Sequence, residues 1–196
     1  MSELLDSLKA ELEQFGKAND AAHSEHSQRM LNITHETGEL LSVLVRAIHA
    51  RRLLEIGTSN GYSTLWLAEA ARETGGTVTS IDFSEFKLKL ASANFARAGL
   101  SSVITLVHED ASIVLERLEP DAVDLLFLDS ERREYSRLWP RIRRALRPGG
   151  LLVVDNATSH AKEMASFIAL VKADSHFTTS LVPVGNGEFL AVKQFA

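Results

Sequence analysis

Several residues able to do chemistry stand where short apolar runs stop. Asp82 follows residues 77–81, Asp129 follows residues 123–128, and Asp155-Asn156 follows residues 151–154. If the last two runs are neighbouring strands, about 4.8 Å apart, the side chains of Asp129, Asp155 and Asn156 converge. Two carboxylates and an amide oxygen make half of an octahedral shell for a hard cation such as Mg²⁺ or Mn²⁺. Asp and Asn are also common turn formers after strands, so spacing alone leaves both readings open. Asp82 is placed to accept the two hydroxyls of a ribose. That ribose would lie across Glu55-Ile56-Gly57-Thr58-Ser59-Asn60-Gly61-Tyr62-Ser63, where two glycines permit a tight turn and close approach of a ligand. The glycine spacing is G-x-x-x-G, neither the fingerprint of dinucleotide binders nor a phosphate loop. With no Lys or Arg, the loop suits a ligand that is not a polyphosphate. Glu109-Asp110-Ala111, after a third apolar run, is placed to meet an adenine edge, although Asp110 reads equally well as a helix cap.

These positions need a scaffold, and the periodicity of the chain describes one. Short apolar runs at residues 53–56, 77–81, 103–107, 123–128 and 151–154 read as strands. Helical patterns follow at 63–72, 84–97 (closed by Gly99 in a left-handed cap), after Asp110, from about 134 to the Pro148-Gly149-Gly150 turn, and at 162–171. Two late strands, 178–184 and 189–193, are joined by Gly185-Asn186-Gly187, a hairpin signal. Five strand–helix units predict a doubly wound α/β fold, Rossmann-like, with a parallel sheet covered by helices on both faces. Ligands of such sheets bind beyond the carboxyl ends of the strands, where the residues above stand. Upstream, Leu4, Leu5, Leu8, Leu12 and Phe15 form an apolar helical stripe ending near Gly16. Residues 17–30 are polar and predicted to be looser, and a second helix is predicted over residues 38–49.

The chain has 196 residues, 45% of them hydrophobic, and a net charge of −5. Those values fit one domain, 1–196, with residues 1–30 as an appended helical segment and 31–196 as the catalytic core. The acidic balance exerts no general pull toward nucleic acid or anionic membrane. The absence of cysteine excludes disulfides, thiolate nucleophiles and Cys-type zinc sites. The first residues lack a signal-peptide pattern and no apolar run approaches the ~20 residues of a membrane span, so a cytoplasmic protein is expected. The stripe of residues 4–15 must be covered by this domain or in a homodimer.

From Leu31 onward the chain resembles the class I S-adenosylmethionine-dependent O-methyltransferases of the catechol and caffeoyl-CoA type, in their compact bacterial form. The resemblance rests on His35-Glu36-Thr37-Gly38-Glu39-Leu40-Leu41 and on Leu54-Glu55-Ile56-Gly57-Thr58-Ser59-Asn60-Gly61-Tyr62-Ser63-Thr64-Leu65-Trp66-Leu67-Ala68. It also rests on Ile81-Asp82, Phe127-Leu128-Asp129, Arg147-Pro148-Gly149-Gly150, Asp155-Asn156 and Gly185-Asn186-Gly187. It implies a seven-stranded sheet with a reversed last strand. It implies S-adenosylmethionine held by Glu55, Gly57, Thr58, Ser59, Gly61 and Ser63, by Asp82 and Phe83, and by Asp110 and Ala111. It further implies Mg²⁺ or a similar ion on Asp129, Asp155 and Asn156, catalytic roles for Asp129 and the residue three positions on, a small phenolic or catecholic acceptor, and a homodimer.

The sequence departs from that family at one important position. Where the resemblance implies a lysine base three residues after Asp129, Asp129-Ser130-Glu131-Arg132 presents an arginine, which stays protonated. Arg132 then reads as an electrostatic group, leaving the proton to the metal, His35 or His160. His23 and His26 have no third zinc ligand and read as solvated. Trp66 and Trp139 read as core. The arginines at 132, 133, 137, 141, 143, 144 and 147 read as a solvated helix surface or as a contact for an anionic acceptor, tRNA included. An NAD-dependent oxidoreductase fits Asp82 but not the glycine spacing, and loss of the lysine also admits a non-catalytic binding protein.

Overall fold

The computed structural model describes residues 2–195. Seven strands, β1 (Arg52–Ile56), β2 (Thr77–Asp82), β3 (Ile104–His108), β4 (Val123–Leu128), β5 (Leu146–Val154), β6 (Phe177–Val182) and β7 (Glu188–Lys193), form one sheet in the order β3-β2-β1-β4-β5-β7-β6. The first five are parallel, and β7 is antiparallel to both β5 and β6. This is the doubly wound sheet with a reversed last strand. All six residues of β4 are buried, as expected of a central strand covered on both faces.

The helices are α1 (Ser2–Ala22), α2 (His35–Ala47), α3 (Tyr62–Thr74), α4 (Glu85–Ala98), α5 (Ala111–Arg117), α6 (Tyr135–Ala145) and α7 (Ala161–Lys172). Strand alternation sends Leu125 and Phe127 to the core shared with α1 to α4. It sends Leu126 and Leu128 to the core shared with α5 to α7. Trp66 lies in the first core and Trp139 in the second. Gly99 caps α4 at φ 64, and Asp110 caps α5 by accepting the Ser112 N–H at 2.7 Å.

The N-terminal segment differs from the expectation. Helix α1 runs straight through Gly16 to Ala22 rather than stopping there. A side chain at position 16 would strike the Asn32 amide, which lies against the helix and donates to the Leu12 carbonyl at 2.9 Å. Gly16 is thus a point of close approach, not a stop. Leu5, Leu8 and Leu12 are buried in the first core, whereas Leu4 and Phe15 stay exposed, so only the middle of the stripe is covered within the chain. Lys9 is also buried there, 2.6 Å from Glu69 and 3.5 Å from the Trp66 ring centre. Strand β5 also starts earlier than predicted, at Leu146, carrying Pro148-Gly149-Gly150 within it. Among the described residues no helix is long and apolar enough to cross a membrane.

At the amino end of the sheet, Asp124 joins three segments. Its carboxylate accepts the Arg51 and Arg52 N–H groups, each at 2.8 Å, the Arg52 guanidinium at 2.9 Å and the Arg147 guanidinium at 2.8 Å. The bonds from Arg52, Arg51 and Arg147 outweigh burial and hold the carboxyl down at about 2. A lowered carboxyl pKa adds stability above the unfolded value, about 3.9, and that stability is lost as pH falls toward 2. Asp124→Asn is therefore expected to cost about 2 kcal/mol in urea unfolding at pH 7. The gap from wild type should shrink when the measurement is repeated near pH 3; an equal gap at both values would remove Asp124 from this role.

Candidate active site

The switch in strand order falls between β1 and β4, with β2 and β3 on one side and β5 on the other. Above it lies a cavity of about 820 Å³, in the range of pockets for small organic ligands. Gly57, Thr58, Ser59 and Ser63 line it, with Asp82, Phe83, Asp110 and Ala111 along one wall and Asp129, Arg132, Asp155 and Asn156 along another. The structure therefore brings the nucleoside and metal candidates to one cavity. Glu55 and Gly61 stand behind the lining rather than in it.

Gly57 has φ 110, and any side chain there would run into the Asp129 carbonyl. The glycine thus lets the first loop press against the end of β4. Ser59 ties three parts together: its N–H donates to Asp82 at 2.8 Å and its hydroxyl to the Met30 carbonyl at 2.6 Å. The other Asp82 oxygen accepts the Ser84 N–H at 2.9 Å, which orients the carboxylate while leaving lone pairs for further donors.

Glu55 is completely buried beneath the first turn of α3. It accepts the Ser63 hydroxyl at 2.6 Å and the hydroxyls of Thr64 and Ser80. Burial pushes its carboxyl up to about 7 despite those bonds. Glu55 thus supports the loop from below.

Asp129 and Asp155 end adjacent strands, with Leu128 paired to Val154 just before them. Asn156, at φ 66, donates its backbone N–H to Asp155 at 2.7 Å. Its side-chain amide reaches Asp155 at 2.7 Å and Asp129 at 3.4 Å. Burial, then the charges of Asp155 and Glu55, push the Asp129 carboxyl well above the usual range, while Arg132 and Lys87 pull it down. Burial likewise raises Asp155. This crowding of buried negative charge suits a bound cation. Among the described residues no group of three or more His, Cys, Asp or Glu side chains is arranged to hold a metal. An ion here would rest on two carboxylates and the Asn156 oxygen, which now faces the Ser159 hydroxyl at 3.2 Å and would turn inward by rotation of the amide.

The turn carrying these residues is braced from the hairpin. Ala157 N–H donates to the Gly187 carbonyl at 2.8 Å, and the Thr158 and Ser159 N–H groups donate to Asn186 at 3.1 and 3.0 Å. A side chain at Gly187 would strike Thr158. Arg132 is committed to Glu163 at 2.9 Å. His160 lines the cavity, whereas His35 packs edge-on against Trp66 and meets Glu13 at 2.8 Å, outside the lining.

The sequence reading missed one wall. Of residues 17–30, expected to be looser, the first six complete α1; from residue 23 to 33 the chain forms a 3₁₀ turn (His26–Gln28) and then a strap along the cavity. Asp20 pins it by accepting the Met30 and Leu31 N–H groups at 2.6 and 2.9 Å. Arg29, Met30, Asn32 and Lys87 all line the cavity. The apolar Met30 and Ile33 beside the polar run were the available signal.

The doubly wound sheet with a cavity at its switch point places the chain in the class of α/β proteins that bind ligands beyond their strand ends. A family model described as O-methyltransferase matches residues 7–194, and the chain belongs to that family. A protein of Mycobacterium sp. (strain JLS) is 34% identical over 177 residues, which span 82% of this chain and 79% of the relative. The O-methyltransferase TomG of Streptomyces achromogenes, involved in tomaymycin synthesis and solved with SAM, is 26% identical. It superposes with a TM-score of 0.77 over 91% of this chain and 89% of its own. The O-methyltransferase of Bacillus cereus, solved with SAH, is 25% identical, with a TM-score of 0.79 over 96% and 91%.

Glu55 gives a pH prediction. A carboxyl raised from 4.5 to about 7 favours the fold below 4.5, and that advantage is lost as pH rises through 7. Glu55→Gln keeps the hydrogen-bonding shape without the charge. Relative to wild type it is expected to gain on the order of 2–3 kcal/mol between pH 4.5 and pH 8 in denaturant unfolding. A constant difference across that range would show that Glu55 does not titrate this way.

Proposed function

We propose that this O-methyltransferase moves the methyl group of S-adenosylmethionine to a hydroxyl of a small phenolic or catecholic acceptor, with a divalent cation at Asp129, Asp155 and Asn156. The observation that carries the reading is the meeting of those three residues with the loop 57–63 and Asp82 around one cavity. Asp82 takes the ribose hydroxyls. Phe83, Asp110 and Ala111 flank the adenine. Ser59, Gly57 and Ser63 hold the remainder of the cofactor. When bound, S-adenosylmethionine supplies an electrophilic methyl on a sulfonium. When bound, Mg²⁺ or Mn²⁺ supplies a Lewis acid that lowers the pKa of a hydroxyl.

The chain's own work is orientation and charge. Arg132 keeps its proton, so it steadies a developing oxyanion instead of acting as a base. His160 leaves Nε2 free to take the acceptor proton, since its Nδ1 faces the Ser159 hydroxyl at 3.0 Å. The strap forms one wall of the cavity. The arginine surface favours a small acceptor over tRNA, because most of it is engaged. Arg141 pairs with Glu116 at 2.5 Å, Arg143 with Asp174 at 2.5 Å, Arg147 with Asp124 at 2.8 Å and Arg137 with Glu134, while Arg144 binds backbone carbonyls.

Two experiments test this reading. Asp82→Ala should weaken S-adenosylhomocysteine binding by roughly 30- to 100-fold, about 2–3 kcal/mol, with the fold intact; unchanged affinity in calorimetry would take Asp82 out of the site. With a catechol acceptor and labelled donor, chelation and Asp155→Ala should each abolish transfer. Arg132→Lys should retain or raise it, and Arg132→Ala should lower it. Full activity in excess chelator, with no Mg²⁺ or Mn²⁺ bound, would refute the metal.

A further inference from the structure

Glu188 opens β7 and is fully buried, followed by the apolar Phe189 and Leu190. The register places it beside the metal candidates: Val154 pairs with Phe189 across the antiparallel β5–β7 ladder, so Glu188 lies next to Asp155. Residues directly opposite in an antiparallel pair carry their side chains on one face, so the two carboxyl groups lie side by side. The Thr37 hydroxyl of α2 donates to Glu188 Oε1 at 2.9 Å. Its Oε2 meets no donor among the described residues. Burying a carboxyl in an apolar strand is costly unless it is hydrogen-bonded, and on that side Asp155 can accept a proton carried on Oε2. The hairpin is seated on the same helix: a side chain at Gly185 would strike the hydroxyls of Thr34 and Thr37.

We propose that Glu188 is a positioning residue. Its carboxyl O–H donates to Asp155 and fixes the angle at which that carboxylate faces Asp129, while Thr37 fixes Glu188 from α2. Glu188 is absent from the cavity lining, so it acts through Asp155 and not on the acceptor. The proposal rests on the metal reading above. Partners that orient a metal ligand from behind typically account for 10- to 100-fold in metal affinity.

The test is Mn²⁺ titration followed by electron paramagnetic resonance on the full chain, with S-adenosylhomocysteine calorimetry alongside. Glu188→Gln keeps a donor toward Asp155 and an acceptor toward Thr37, so it should stay within about threefold of wild type. Glu188→Leu should fill the apolar site and keep the fold, yet weaken Mn²⁺ binding roughly 10- to 100-fold. Thr37→Val, which is nearly isosteric, should weaken it several-fold. Cofactor-product affinity should hold within about twofold in all three. Glu188→Leu binding Mn²⁺ like wild type would overturn the positioning role while leaving the metal reading in place. If Glu188→Leu does not fold, undiminished Mn²⁺ binding by Thr37→Val overturns it instead. A wild type that binds no Mn²⁺ overturns the metal reading, and this inference with it.

Discussion

Four carboxyl groups, Glu55, Asp129, Asp155 and Glu188, are packed into the carboxyl edge of one sheet, and much of the surrounding structure answers that crowding. Like charges at such range, out of water, cannot all stay ionised. Each group is answered differently. Three hydroxyls surround Glu55. Asp129 feels the fields of Arg132 and Lys87. Asp155 takes two bonds from Asn156. Glu188 takes the Thr37 hydroxyl. Apolar residues at these places would make a more comfortable sheet end, so the carboxylates mark a site and not a packing solution.

The loops have the conformations needed to bring those groups together. Gly57 must lack a side chain because the Asp129 carbonyl occupies the place where one would go. That contact binds the first loop to the fourth strand end, the two places that the proposed donor and acceptor would occupy. Tyr135 completes the arrangement from the other core: its hydroxyl accepts the Ser130 N–H at 2.7 Å and donates to the Ser130 carbonyl at 3.1 Å. The residues after Asp129 therefore hang from a buried side chain rather than from solvent.

The strands, the caps and the hairpin were legible because each is written locally. A run such as residues 123–128 admits little but a buried strand, and Gly99, Asp110 and Gly185-Asn186-Gly187 carry turn chemistry in their own residues. What stayed illegible depends on partners distant in sequence. Gly16 reads as a helix stop until Asn32 is seen against it. The polar strap looks loose because the groups that hold it, Asp20 and Ser59, lie 10 and 29 residues from Met30. Glu55 was read as a ligand contact from its motif, and no periodicity reveals that its carboxylate turns under α3. Glu188 follows a hairpin turn and would pass for a solvent-facing strand residue; only the β5–β7 register shows otherwise.

Charge around the cavity separates the functions that the motifs alone left open. Eight acidic side chains line it against four from Lys and Arg, and Arg132 and Arg137 among those four are already paired to glutamates. Such a surface repels a pyrophosphate or a nucleic-acid backbone and attracts a cation. The loop 57–63 likewise lacks the glycine spacing with which dinucleotide binders cradle a pyrophosphate. A dinucleotide and an RNA strand are thus disfavoured by the same field that suits a sulfonium and a divalent ion. Methyl transfer follows from the pattern of the whole chain, and the acidic lining of the cavity adds a field that suits a cationic donor.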